Sequence, residues 1–108
     1  MYVLDLTTLV MQQHEYADGA IIPPIRNSHT FTKGPEGSNK AYIFGGANSD
    51  GPLKDLYELN METLEFTKMA LDETEMNLPM IEMHTAHLYQ GTHLLIIGGR
   101  KLEVGQPL

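Results

Sequence analysis

The 108-residue chain has no cysteine and no tryptophan, and its fourteen aspartate and glutamate residues outnumber its seven lysine and arginine residues. Without cysteine it cannot form a disulfide, a thiolate zinc site or a cysteine nucleophile. The formal net charge of -7 has the wrong sign for contact with a phosphate backbone, so we expect no nucleic-acid partner. Its apolar runs, about four residues long at most, fall far short of the roughly twenty residues of a membrane-spanning helix. Since Asp5 also interrupts the N-terminal region before a signal-peptide core develops, we expect an intracellular, cytoplasmic protein with no membrane partner.

An internal repeat is the clearest pattern in the sequence. Residues 2–13 align without a gap with residues 57–68, which lie 55 positions later. The offset falls to 53 further on, where residues 41–46 match residues 94–99. A longer turn in the first copy, at residues 33–39, accounts for the difference. With 42% hydrophobic and 19% charged residues, the chain has the composition of a globular domain, and the period indicates that this domain is built from similar units.

Each copy of the repeat reads as a set of short β-strands. The segments are rich in β-branched or aromatic residues and are bounded by Gly, Pro, Asn or Asp. In the complete copy the predicted strands are residues 28–32, 40–44, 55–60 and 64–69, with a loop at 48–52 between the second and the third. Four antiparallel strands per unit is the architecture of a propeller blade. The chain then divides into residues 1–22, the last two strands of one blade, residues 23–78, a complete repeat, and residues 79–108, the first two strands of the next.

These strands resemble the kelch repeat. In that family a short apolar strand ends in a glycine doublet, and the following strands carry two key positions that are seven residues apart. The matching residues are Gly45, Gly46, Gly98, Gly99, Leu59 and Phe66, with Leu4 and Met11 in the partial copy. Two successive glycines also suit a sharp strand exit, because they tolerate positive φ and the close approach of another backbone. The resemblance covers nearly all of residues 2–100 and implies an all-β fold of kelch-type propeller blades, each a four-stranded antiparallel sheet.

The predicted strands make up only part of a propeller. They equal about two blades, whereas propellers use roughly four to eight. Repeat units bury their apolar faces against their neighbours, so two isolated blades would leave apolar faces and strand edges in water. We therefore expect a segment of a longer kelch propeller, whose further blades belong to the same polypeptide. The alternative is that several copies of the chain assemble into a closed ring.

The resemblance implies a non-enzymatic scaffold for protein–protein interaction, which binds its partner through loops held by rigid blades. Kelch proteins often use the connections between blades and those after the glycine doublet. Carried over to this chain, the candidate binding residues are Arg26, Asn27, Asn48, Ser49, Asp50, Arg100 and Lys101. A guanidinium can hold a carboxylate through two hydrogen bonds, so Arg26 and Arg100 would anchor an acidic partner peptide. We expect no cofactor.

Other candidate sites have simpler explanations. His84 and His87 could suggest a metal site, but residues three apart on a strand point to opposite faces. The acidic residues 72–75 lack the spacing of a calcium loop and read as a solvated connection. The glycine-rich residues 45–51 are not followed by the Lys-Ser or Lys-Thr of a phosphate loop. We therefore nominate no catalytic and no metal-binding residue. The alternative function is that of a propeller portion, for docking or support, in a larger kelch-containing enzyme.

Overall fold

The described residues of the computed structural model, 1–74, 78 and 80–101, form strands, turns and loops. In chain order the strands are β1 (Tyr2–Leu4), β2 (Met11–Gln13), β3 (Thr30–Lys33), β4 (Lys40–Phe44), β5 (Ala47–Asn48), β6 (Gly51–Pro52), β7 (Leu56–Asn60), β8 (Glu65–Met69), β9 (Ile81–Glu82), β10 (Thr85–Tyr89), β11 (His93–Ile97) and β12 (Arg100–Lys101). All strand pairings are antiparallel in this part of the chain. The all-β prediction is confirmed, and the sheets are consistent with partial propeller blades. None of these residues belongs to a helix with the length and apolarity to cross a membrane.

One sheet is complete and contains four strands in the order β3-β4-β7-β8. These four strands pair in chain order, as the alternating strands and turns of residues 28–69 predict, and β5 and β6 lie in the connection between β4 and β7. The two key positions that are seven residues apart are direct cross-strand neighbours, since Leu59 on β7 lies opposite Phe66 on β8. Leu4 and Met11 face each other in the same way between β1 and β2. The seven-residue spacing therefore marks a β-hairpin with a fixed register.

The hairpins β1–β2 and β7–β8 share the same turn. The Asp5 carboxylate accepts two backbone N–H groups of its turn, at 2.7 and 3.1 Å. The Asn60 side chain accepts two from the equivalent positions, at 2.9 and 3.1 Å. Leu9 and Leu64, at the end of the two turns, both adopt a φ of 61°. The repeat seen in the sequence is thus a repeat of hydrogen bonds and backbone angles.

The second glycine of each doublet sits where any side chain would collide with its own unit. A Cβ atom on Gly46 would lie 2.5 Å from the Asn27 carbonyl oxygen and 2.8 Å from the His29 Cβ. At Gly99 the corresponding distances are 2.7 Å to the Glu82 oxygen and 2.9 Å to the His84 Cβ. Both glycines also have positive φ, of 90° and 94°. Close approach and backbone conformation together explain why glycine recurs there.

The first glycine of the complete sheet packs instead against the next unit. A Cβ on Gly45 would lie 2.5 Å from the Ile81 carbonyl oxygen, and Ile81 is the most deeply buried large side chain of the described part. The other buried apolar residues are Ala41, Tyr57 and Leu59, all in the central strands β4 and β7. The core therefore lies in the middle of the complete sheet and at its junction with the following unit.

Two elements differ from the prediction. Residues 48–52 were predicted as a loop, but Ala47–Asn48 and Gly51–Pro52 pair as a small hairpin. Strands of two residues are too short for an alternating pattern to reveal. Arg100 and Lys101, predicted as a loop after the second doublet, form β12 and pair with Glu82 and Ile81 of β9. The boundaries between the predicted blade segments stay predictions, and residues 102–108 of the last one lie outside the described part.

Candidate functional site

The predicted binding residues gather at one edge of the complete sheet. In an antiparallel sheet the start of β3, the end of β4 and the start of β7 lie at the same edge. Asn27 and Ala47 exchange two backbone hydrogen bonds there, of 2.8 and 2.9 Å. Ile81 extends this edge, because it accepts a hydrogen bond from the Gly46 N–H and donates its own N–H to the Leu53 carbonyl. We call residues 26–28, 45–55, 80–84 and 98–101 the doublet face.

The tip of the β5–β6 hairpin is the most accessible part of the doublet face. Ser49 and Asp50 are exposed, whereas Asn48 is half-buried. The Asn48 side-chain oxygen accepts the Asp50 N–H at 2.9 Å and so holds the turn. Asn27 is also exposed, next to the base of this hairpin. These residues give the face two polar, uncharged side chains and a carboxylate that solvent can reach.

Arg26 is placed in the interior of the face rather than at its surface. Its guanidinium donates to both carboxylate oxygens of Asp55, at 2.6 and 2.9 Å, and to the Gly45 carbonyl at 3.0 Å. The guanidinium carbon also lies 5.4 Å from the centre of the Tyr57 ring. Only 4% of the Arg26 side chain is exposed. Arg26 thus ties the start of β3 to the doublet and to β7, and its contact with a partner stays a prediction.

Arg100 also has a carboxylate partner within the chain, but its own side chain is accessible. It donates from Nε to Glu82 at 2.9 Å, and its Nη2 lies against the same oxygen. The Glu82 side chain is 7% exposed, whereas that of Arg100 is 49% exposed. The guanidinium of Arg100 therefore neutralises the charge of the buried Glu82 carboxylate, while part of the guanidinium stays in contact with water. The Lys101 backbone pairs with Ile81, and its side chain lies outside the described structure.

Two histidines at equivalent positions of the repeat differ in burial, since His84 is buried and His29 is exposed. His84 is buried, its Nε2 lies 3.0 Å from the Thr30 hydroxyl, and its ring meets the Phe44 ring edge-on at 5.5 Å. Burial lowers the pKa of His84, the nearby His29 adds to that effect, and the Phe44 backbone opposes it. Burial and the charge of Arg26 lower the pKa of His29 as well. Both shifts favour the neutral form of the imidazole.

The residues described do not assemble a metal centre. No three His, Asp or Glu side chains gather closely enough within residues 1–74, 78 and 80–101. His84 is buried while His87, three positions later, is exposed. In the acidic stretch, Asp72 is exposed and accepts the Thr74 N–H, while Glu75 lies outside the described residues.

Sequence reasoning missed the two carboxylates that hold the arginines. Asp55 lies 29 positions after Arg26, and Glu82 lies 18 positions before Arg100. No local motif links residues at such separations, and Asn27 stands in the first copy where Glu82 stands in the second. Only the sheet register and the packing of one unit on the next bring them together.

Comparison with curated proteins finds similarity to short stretches of several larger proteins. Over 88 residues, 82% of this chain, it is 32% identical to Multiple epidermal growth factor-like domains protein 8 of Homo sapiens. It is 37% identical over 76 residues, 68% of this chain, to Tip elongation aberrant protein 1 of Schizosaccharomyces pombe. This similarity suggests a kelch-like repeat. No model of a protein family matches it.

The similarity concerns a small part of each relative. The chain spans 3% of the length of the human protein and 6% of the length of the yeast protein. The similarity therefore bears on the repeat itself rather than on what either whole protein does.

Proposed function

We propose that the chain is a kelch-repeat segment that acts as a non-enzymatic scaffold for protein–protein interaction, with the doublet face as its binding surface. The observation that carries this proposal is the gathering of the predicted loop residues at one edge of a complete four-stranded sheet. Similarity to two kelch-containing proteins supports it. A rigid sheet that presents an accessible loop tip is the arrangement that binding loops commonly use.

The partner we propose is an acidic peptide segment. Arg100 is the anchor, since half of its side chain is exposed and a guanidinium can bridge two carboxylates, one from Glu82 and one from the partner. Ser49 and Asn27 would donate hydrogen bonds beside it. Arg26 supports the surface from beneath, because its guanidinium fixes the doublet and β7 in place.

Peptide selection tests this proposal directly. A library of random peptides displayed on phage is selected against the folded chain, and enriched sequences are then measured by fluorescence anisotropy. We expect enrichment of peptides rich in Asp and Glu. We also expect Ser49→Glu, which adds a negative charge to the exposed hairpin tip, to weaken their binding about three- to tenfold, as a surface charge worth about 1 kcal/mol would.

A matched variant distinguishes a charge effect that is specific to the doublet face from an effect of the net charge of the chain. Gln90→Glu also adds one negative charge to an exposed turn, but this turn joins β10 to β11 at the opposite edge. We expect it to leave binding within about twofold of the parent chain, since a screened charge beyond about one Debye length has little effect. Enrichment of neutral or basic peptides, or equal weakening by both variants, would contradict the proposal.

A further inference from the structure

A groove lies between the connection that follows β2 and the turn of the β7–β8 hairpin. Residues 14–21 form one wall, residues 63–66 form the other, and the groove has a volume of about 420 Å³. The rings of Tyr16 and Phe66 bring the two walls together, with their centres 6.4 Å apart. The groove therefore belongs to the contact between two successive units of the repeat, and neither wall contains an end of the chain.

The half-buried side chains of the groove are mostly aromatic. His14, Tyr16 and Phe66 are half-buried, as is the aliphatic Leu64. The His14 ring meets the Tyr16 ring edge-on, with the centres 4.9 Å apart. Phe66 in turn meets the buried Tyr57 edge-on at 6.5 Å. Packing thus holds these rings in place, and the face of an aromatic ring carries partial negative charge that attracts cations.

The charged groups that line the groove are carboxylates. Glu15, Asp18 and Glu65 contribute to its lining, and all three residues are exposed. No lysine or arginine is among the lining residues. The ion pairs found within the described part of the chain engage other carboxylates. Fixed rings beside exposed carboxylates are complementary to a cation.

An arginine side chain matches each part of this lining. Its methylene stem can pack against aliphatic side chains such as Leu64 and Ile21 while its charged end stays at the surface. Its planar guanidinium can stack on a ring and also donate paired hydrogen bonds to a carboxylate. A lysine ammonium has neither the plane nor the paired donors. The net charge of -7 also favours the approach of a basic segment.

We propose that this groove binds an arginine side chain from a basic segment of a partner protein, with the guanidinium against the aromatic rings and within reach of the three carboxylates. The inference does not depend on the proposed function, because the doublet face offers a guanidinium to an acidic segment. The two sites are also apart in space. Strand β8 begins in the groove at Glu65 and ends opposite Leu56, next to the doublet face, after a rise of about 13 Å.

Peptide titrations of the isotope-labelled chain, followed by the NMR shifts of its backbone amides, test this proposal. The probe is a capped pentapeptide with one arginine between glycines. The matched probe carries citrulline, which keeps the shape of the arginine side chain but has no charge. We expect saturable shifts in residues 14–21 and 63–66 with the arginine peptide and about tenfold weaker binding of the citrulline peptide. A lysine peptide should bind about two- to threefold more weakly than the arginine peptide.

Two variants test the two parts of the groove. Tyr16→Leu removes the ring but keeps an apolar side chain, and we expect it to weaken binding of the arginine peptide about three- to fivefold. Glu65→Gln removes one carboxylate, and we expect about two- to fivefold weaker binding, as for an exposed ion pair. The dispersion of the amide signals shows whether each variant keeps its fold.

The control variant is Asp72→Asn, which also removes one exposed carboxylate. The amide oxygen can still accept the Thr74 N–H, as the carboxylate does. Asp72 lies beyond the far end of β8, where Lys54 pairs with Glu73 at 2.9 Å, so more than about one Debye length separates it from Glu65. We expect binding within about 1.5-fold of the parent chain.

Four results would overturn the proposal. They are the absence of shifts at about 20 mM arginine peptide, shifts confined to other parts of the chain, equal binding of the arginine and citrulline peptides, and equal weakening by Glu65→Gln and Asp72→Asn. Tighter binding of the lysine peptide would overturn the assignment of arginine as the ligand. Selection of acidic peptides by the doublet face is a separate measurement, so either proposal can fail without the other.

Discussion

Replacement of Gly46 by alanine tests why the glycine doublet ends β4. Gly46 has a φ of 90°, and a Cβ there would lie 2.5 Å from the Asn27 carbonyl oxygen. Gly37 provides the matched control, since its φ is 81° and a Cβ there would meet nothing within 4 Å. Both substitutions place alanine in the left-handed region, but only one adds a collision with backbone.

The two costs can be separated in magnitude. The left-handed conformation costs an L-residue about 1–2 kcal/mol, and the lower entropy of the unfolded alanine chain offsets about 0.4–1 kcal/mol of this. We therefore expect Gly37→Ala to lower the free energy of unfolding by about 1 kcal/mol. The collision at Gly46 must displace the start of β3, and overpacking of this kind costs a further 1–3 kcal/mol or so. We expect Gly46→Ala to cost about 2–4 kcal/mol.

Urea unfolding followed by far-ultraviolet circular dichroism measures both variants. All samples need the same protein concentration, because self-association would make stability depend on it. Equal losses in the free energy of unfolding, to within about 0.5 kcal/mol, would contradict the prediction. Close approach of backbone would then not be the reason that position 46 requires glycine.

Two further predictions concern charged and titratable groups. Arg26→Met should cost about 3 kcal/mol of unfolding free energy, because it leaves the Asp55 carboxylate without its partner; in a double-mutant cycle with Asp55→Leu, additive losses would refute this coupling. Because burial lowers the pKa of His29 and His84 below 6.5, the unfolded chain binds more protons, so stability should fall as pH drops through 6.5. His84→Gln should flatten this dependence in urea titrations, and a slope equal to that of the parent chain would contradict the prediction.

Much of the fold could be predicted from the sequence because its signals are local. Alternating apolar residues, turn residues and a repeat of 53 to 55 positions lie within short windows, and they locate the strands of the complete sheet to within one or two residues. The seven-residue spacing of Leu59 and Phe66 predicts neighbours because a tight turn fixes the register of a hairpin. The sequence also shows the glycine doublets, but only the structure shows which atoms exclude a side chain at these positions.

The candidate site was only partly predictable. The loop residues could be placed at one edge of a sheet, since strand direction determines which loops share an edge. The burial of Arg26 could not be predicted, because its partner Asp55 approaches through the pairing of β4 with β7. Likewise His29 and His84 hold equivalent positions of the repeat, but only packing between units buries His84 against Thr30 and Phe44.

Tyr2 and Tyr57 separate what the sequence determines from what tertiary structure decides. Both begin the same local pattern, and both lie on the first strand of a hairpin with the same turn and the same φ at its end. Local sequence therefore determines the strand, the register and the turn. Yet Tyr2 is 65% exposed and Tyr57 is 4% exposed, because burial depends on neighbouring strands that are distant in sequence.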